Sequence, residues 1–226
     1  MTISPITSTA DPVCEVPRRR LPLHESVVLF RWRGLTVATF GLFAALGGAA
    51  GAVLVLARMH QAGLDVPRFA PTMFVLVPLL AVAGARLFSA VLDGEPVLTR
   101  PWTLLRKHGF CFQGGFVLAT AGVCLTAVAF DLHLLLVLDS FALAMPLGHA
   151  LGRVGCHTYG CCHGRPTRSP LALRYTHPES KAVWRSGLAG VPLHPTQLYS
   201  AAGNALLFVL LAALATRPLV PGELAG

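Results

Sequence analysis

Between Gly152 and Pro166 the chain reads GRVGCHTYGCCHGRP, three cysteines, two histidines and two arginines in fifteen residues. Three chemistries suit such a set. Zinc favours Cys-x-x-Cys pairs that converge on a tetrahedron, but four residues separate Cys156 from Cys161, and Cys161 and Cys162 are adjacent. A redox pair would gain from nearby arginines, which lower a thiol pKa, yet no Cys-x-x-Cys is present and a vicinal disulfide is geometrically awkward. The third chemistry is anion binding. Arg153, flanked by Gly152 and Gly155, offers a planar fork of N–H donors that fits a phosphate, whereas Arg153 and Arg165 would repel a metal cation. The expectation is an anion-binding turn at the membrane surface, with no metal and no cofactor.

Further polar residues lie in apolar surroundings. Arg86 sits in AVAGARLFSAVL, about 9 Å by helical rise from the end of its run. Asp139, in LLVLDSFALAMP, would cost about 3 kcal/mol if left unpaired in lipid, so an arginine or a polar backbone break near Pro146 is its expected partner. The segment LHPTQLYSA places Pro195 in a first helical turn and Gln197 and Tyr199 at head-group depth.

The elements that position these residues follow from composition. Of 226 residues, 54% are apolar and only 12% charged, against roughly 25% charged in a soluble domain. A lipid-facing surface needs no polar cover, so the fold class is all-α, a polytopic membrane helix bundle. Five runs can span roughly 30 Å of hydrocarbon: Leu35 to Ala57, Pro71 to Leu92, Phe110 to Phe130, Leu132 to Arg153 and Leu193 to Thr216. Residues 1–34 read as a disordered tail and interfacial lead-in with no evident signal peptide, and 35–226 as one transmembrane domain. Its head segment, 154–192, is too long for a turn and holds Tyr175 and Trp184, which argue for order. Gly47 and Gly51, Gly148 and Gly152, and Ala81 and Ala85 have the four-residue spacing of close helix contacts. The net charge of +8 sits mainly beside apolar runs, as for anionic lipid rather than nucleic acid. Cys124 reads as a small apolar residue, Cys111 as a helix start and Cys14 as part of the tail.

GRVGCHTYGCCHGRPT followed by LHPTQLY resembles, in order and spacing, the prolipoprotein diacylglyceryl transferase family. Weaker similarities run through RWRGL, AGARLFSAVL, FCFQGGFVLA and Asp139. The resemblance implies transfer of a diacylglyceryl group from phosphatidylglycerol to the cysteine thiol of a lipoprotein signal peptide, forming a thioether and releasing glycerol phosphate. Its implied partners are phosphatidylglycerol, other anionic phospholipids and a lipobox cysteine. Its implied location is the bacterial inner membrane with the head segment outside, although the Lys/Arg bias alone would put that segment in the cytoplasm. Arg153 matches the essential arginine and Gly164 the glycine closing its signature. His194, Gln197 and Tyr199 match the second motif, while Arg86, Gln113 and Gly114 fall in the weaker similarities as substrate-binding candidates.

This chain also departs from the family pattern. Gln113 stands where the family carries a histidine, a candidate base, so a base must come from elsewhere: His163, His157 and His194 are near in sequence, and His163 and His194 are the expected proton carriers. Cys156 and Cys161 replace the signature's asparagine and acidic residue, and Arg33 replaces a tyrosine. The family pattern continues beyond RPLVPGELAG into a further helix with a second arginine, which is expected to be missing here. Two other classes follow from these departures: a non-catalytic phospholipid-binding protein, and a membrane thiol oxidoreductase using Cys156, Cys161 and Cys162.

Overall fold

A computed structural model describes residues 24, 26–33, 35–64, 66–94, 111–217 and 221–225. The expected tail through residue 23, with Cys14, and Phe110, the expected start of the third span, lie outside the described residues. Five of the described helices are long and apolar enough to cross a membrane, Thr39–Gln61, Val66–Leu92, Phe112–Ala129, Leu134–Tyr159 and Thr196–Leu214. The protein is thus a polytopic helical membrane protein, as composition implied. The ends of the spans differ from the sequence expectation, each for a local reason.

Residues Leu35–Ala38 form a strand (β2) rather than the start of a helix, paired antiparallel with Val28–Trp32 (β1). Val28, Thr36 and Val37 favour extended backbone. Trp32 lies opposite Leu35, so the connection is short, and Arg33 has a φ of 45°, in the left-handed region such short hairpin loops require. The residues read as a lead-in therefore carry structure, and α1 is Thr39–Gln61.

The second span starts earlier than expected because proline does not end it. Helix α2, Val66–Pro71, passes through a π turn, Thr72–Leu76, into α3, Val77–Leu92. Pro71 and Pro78 lack an N–H, and a widened turn accommodates that loss. The N–H of Val77 reaches back five residues to the carbonyl of Thr72. Helix α4 is Phe112–Ala129 and α5 is Leu134–Tyr159. The latter runs six residues past Arg153, which lies inside the helix instead of closing it. The stop is Gly160 at φ 71°, with Cys161 N–H donating to the Cys156 carbonyl at 3.2 Å, the glycine C-terminal motif of a helix. Two short strands, Leu173–Arg174 (β3) and Pro192–Leu193 (β4), pair antiparallel, and α6 spans Lys181–Trp184. Strand β4 delays the last helix, α7, to Thr196–Leu214.

The chain divides into two compact units. A helical unit comprises residues 43–152 and 201–226, and a head unit comprises 1–42 and 153–200. The helical unit has a core of Val55, Leu56, Met59, Phe69, Met73, Val123 and Val137. Outward-facing leucines and valines such as Leu125, 70% exposed, and Val128, 73% exposed, suit contact with lipid. Its helices approach through small residues. A Cβ at Gly84 would strike the carbonyl oxygen of Gly114, and one at Gly47 would lie 2.7 Å from the carbonyl oxygen of Gly148. Among the described residues Asp139 pairs with neither an arginine nor the Pro146 region. Its carboxylate accepts the N–H groups of Gly222, Leu224 and Ala225 at 2.6, 2.9 and 2.9 Å, because three converging N–H groups neutralise a buried carboxylate as a cation would.

Candidate active site in the head unit

The two motifs interlock through backbone. Gly164 N–H donates to the His194 carbonyl at 3.0 Å, His194 N–H to Arg165 at 3.1 Å, and Thr167 N–H to Pro192 at 2.9 Å. The strand bearing Leu193 thus pairs with the end of the cysteine segment on one side and with β3 on the other. Gly164 is required by the closeness of this pairing: a Cβ there would lie 2.7 Å from His194 Cβ and 2.8 Å from Thr196 Cγ2.

The first turn of α7 then braces the cysteine turn. Gln197, fully buried, donates through Nε2 to the Cys161 carbonyl at 2.8 Å, and the Thr196 hydroxyl donates to the Cys162 carbonyl at 2.7 Å. Tyr175, also buried, donates its hydroxyl to the His157 carbonyl at 3.2 Å, and Ser180 donates to the Tyr159 carbonyl at 3.3 Å. These bonds satisfy carbonyls left open at the end of α5. Thr196 and Ser180 had not been singled out from sequence. Thr196 lies inside the second motif and could have been, whereas nothing local marks Ser180.

Arg153, half-buried on α5, donates from Nε to Ser200 Oγ at 2.9 Å. Among the described residues no carboxylate pairs with it. Among the described residues a Cβ at the preceding Gly152 would meet nothing within 4 Å, while Gly155 is buried. The arginine is held to Ser200 by one nitrogen of its fork, and a guanidinium so placed has the donor geometry that suits an anion.

The histidines differ in how they are engaged. His163 is bonded at both ring nitrogens, Nδ1 with the Gly164 carbonyl at 3.1 Å and Nε2 with Ser186 Oγ at 3.3 Å. His194 engages Tyr199 through Nδ1 at 3.4 Å.

Other candidates fall in the helical unit. Arg86 is half-buried on α3, and Gln113, exposed at the start of α4, accepts a hydrogen bond from the Cys111 thiol at 3.0 Å. Gly114 is packed against Gly84 and Phe88. A cleft of about 400 Å³ in the head unit is lined by Val27, Val28, Ala38, Tyr159, Pro178, Glu179 and Trp184. None of the motif residues expected to bind or react with substrate lines it.

The three cysteines converge despite their spacing. Gly160 and then Cys162, at φ 54°, turn the backbone twice within three residues, and the Sγ atoms of Cys156, Cys161 and Cys162 lie within 4.8 Å of one another. Cys156 and Cys161 are each 9% exposed, and Cys162 is open to solvent. The Cys161 thiol is pushed far above the usual thiol range by its hydrogen bonds with Cys156 and Cys162 and by burial. Cys162 is pulled well below that range, first by the hydrogen bond from Cys156 and then by that from Cys161.

Fold and site define a multi-pass membrane protein whose head is built from two interlocked motifs around an arginine and a thiol cluster. A family model described as prolipoprotein diacylglyceryl transferase matches residues 27–226, and the chain belongs to that family, the membrane transferases of lipoprotein biosynthesis. Similar proteins include a phosphatidylglycerol–prolipoprotein diacylglyceryl transferase of Clostridium tetani, 27% identical over 80% of this chain and 70% of that one. Another, of Cupriavidus pinatubonensis, is 29% identical over 90% of this chain and 71% of its own length. The second such transferase of Clostridium perfringens is 27% identical over 77% of this chain and 66% of its own. The chain thus spans about two-thirds of the length of these relatives.

Proposed function

We propose that this chain transfers the diacylglyceryl group of phosphatidylglycerol to the thiol of a lipobox cysteine. It would act in the bacterial inner membrane with its head unit on the outer face. The attacking sulfur forms a bond to the glyceryl carbon as that carbon's bond to the phosphate oxygen breaks, and glycerol phosphate leaves with the electron pair. Negative charge grows on the departing phosphate, so a fixed guanidinium in a poorly hydrated site lowers the barrier. The observation that carries this role is Arg153, tied by Nε to Ser200 and facing no carboxylate among the described residues. Other anionic phospholipids share the phosphate and would compete for it.

Gln113 cannot accept a proton, which leaves the histidines of the head unit. Of the three in the two motifs, His194 is better placed than His163, both of whose ring nitrogens are already engaged, and than His157, which is only 2% exposed. Family membership favours neither the non-catalytic lipid-binding reading nor the thiol oxidoreductase one. The test is transfer of labelled diacylglyceryl from phosphatidylglycerol to a lipobox peptide in membranes containing the chain. Transfer that is lost with Arg153→Ala supports the proposal. Absence of transfer by the unaltered chain would sink it.

A further inference from the structure

We propose that Cys156, Cys161 and Cys162 form a zinc site whose open fourth position takes the thiol of the acceptor. The chemical role rests on the transfer reading above, but the ligand set does not. Zinc bound by thiolates at about 2.3 Å in a tetrahedron needs sulfurs about 3.8 Å apart. The three Sγ atoms already lie within 4.8 Å of one another, so small side-chain rotations close the difference. Of the two grounds for expecting no metal, spacing along the sequence and repulsion by Arg153 and Arg165, the first is removed by the double turn at Gly160 and Cys162.

Charge also favours the site once all the ligands are counted. Three thiolates around a divalent cation leave one negative charge, which Arg153 attracts instead of repelling. Cys156 follows Arg153 by three residues on α5, which puts both on one face, about 5–6 Å apart at Cβ. The carbonyls of Cys161 and Cys162 are anchored by Gln197 and Thr196, so the two turn ligands are held before a metal arrives. Two thiols are buried and one is exposed, the arrangement of a site closed on one side and open on the other. Catalytic zinc sites use three protein ligands and keep the fourth for water or substrate.

A thiol entering that position is deprotonated by the cation, and its proton passes to solvent. The resulting thiolate attacks the glyceryl carbon, the carbon–oxygen bond to phosphate breaks, and the neutral thioether is released as a poor ligand. Nothing is oxidised or reduced. The site would supply what Gln113 cannot, an ionised acceptor sulfur beside the arginine that holds the leaving phosphate.

The full chain, purified under reducing conditions, should retain about one zinc per molecule by elemental analysis. Replacement with cobalt should give thiolate-to-cobalt charge transfer and tetrahedral ligand-field bands. Cys161→Ser and Cys162→Ser should each weaken cobalt binding by more than the ~10- to 100-fold that follows loss of an outer-sphere partner. Cys162→His should keep the metal with altered bands, which separates ligand loss from misfolding, and Cys124→Ser should change neither. Adding a lipobox peptide should shift the cobalt spectrum, and the same peptide with serine for cysteine should not. Absence of zinc and of charge transfer, bands that survive the cysteine variants, copper retained in place of zinc, or a disulfide within the cluster would each overturn the site. Transfer activity that persists with no metal bound would remove the zinc while leaving the transferase intact. Zinc bound without any transfer would do the reverse.

Discussion

The head unit and the helical unit hold their shape by opposite means. In the head, side chains bond to backbone across long stretches of sequence: Gln197 to Cys161, Thr196 to Cys162, Tyr175 to His157. In the helical unit, backbones meet where side chains are missing, as at Gly84 with Gly114 and Gly47 with Gly148. Lipid gives helices no hydrophobic reason to associate, so close packing of small residues does the work there. An irregular loop has many backbone groups that no helix satisfies, and polar side chains must answer them. The difference teaches where chemistry can be built: positions in the head are fixed by directional bonds, whereas the helices are fixed by volume.

The sharpest test of that contrast is the residue whose geometry matters most. Arg153→Lys keeps the charge and loses the fork, and should reduce diacylglyceryl transfer by about 100-fold or more, measured as initial rate with labelled phosphatidylglycerol. Near-normal transfer by the lysine variant would mean that charge alone suffices. Gln197→Ala should come next. It strips a fully buried partner from the Cys161 carbonyl, at a cost of about 1–3 kcal/mol, and hydrogen exchange should rise locally at 160–164 while α3 and α4 stay protected. Exchange rising equally in both units would erase the proposed division of labour.

Gly84→Ala probes the other mode. The added methyl meets backbone rather than a movable side chain, so overpacking should cost about 1–3 kcal/mol, read as a lower melting temperature in detergent with the α3–α4 region losing protection first. The smallest effect is expected at the ion pair of Arg31 with Glu179, whose side chains are 62% and 42% exposed. Arg31→Ala should change stability by no more than about 1 kcal/mol, and less at high salt. A larger loss would show that this pair braces the head unit.

The sequence by itself determined the membrane class, the five apolar runs that form long helices among the described residues, and the pair of motifs. Those are local properties: a run of about 20 apolar residues declares a span wherever it occurs, and Arg153, His194 and Gln197 are visible as neighbours in their own motifs. It misplaced the ends of the spans because a glycine or proline is a signal whose outcome depends on what it packs against. Pro71 was absorbed by a π turn and Arg153 by a helix that continued to Tyr159. Asp139 found backbone N–H groups more than eighty residues away, a partner that no window along the chain contains. The convergence of Cys156, Cys161 and Cys162 was likewise decided only in three dimensions. Spacing argues against it, but positive φ at Gly160 and Cys162 folds the turn back on itself, and bonds from Thr196 and Gln197 hold it there.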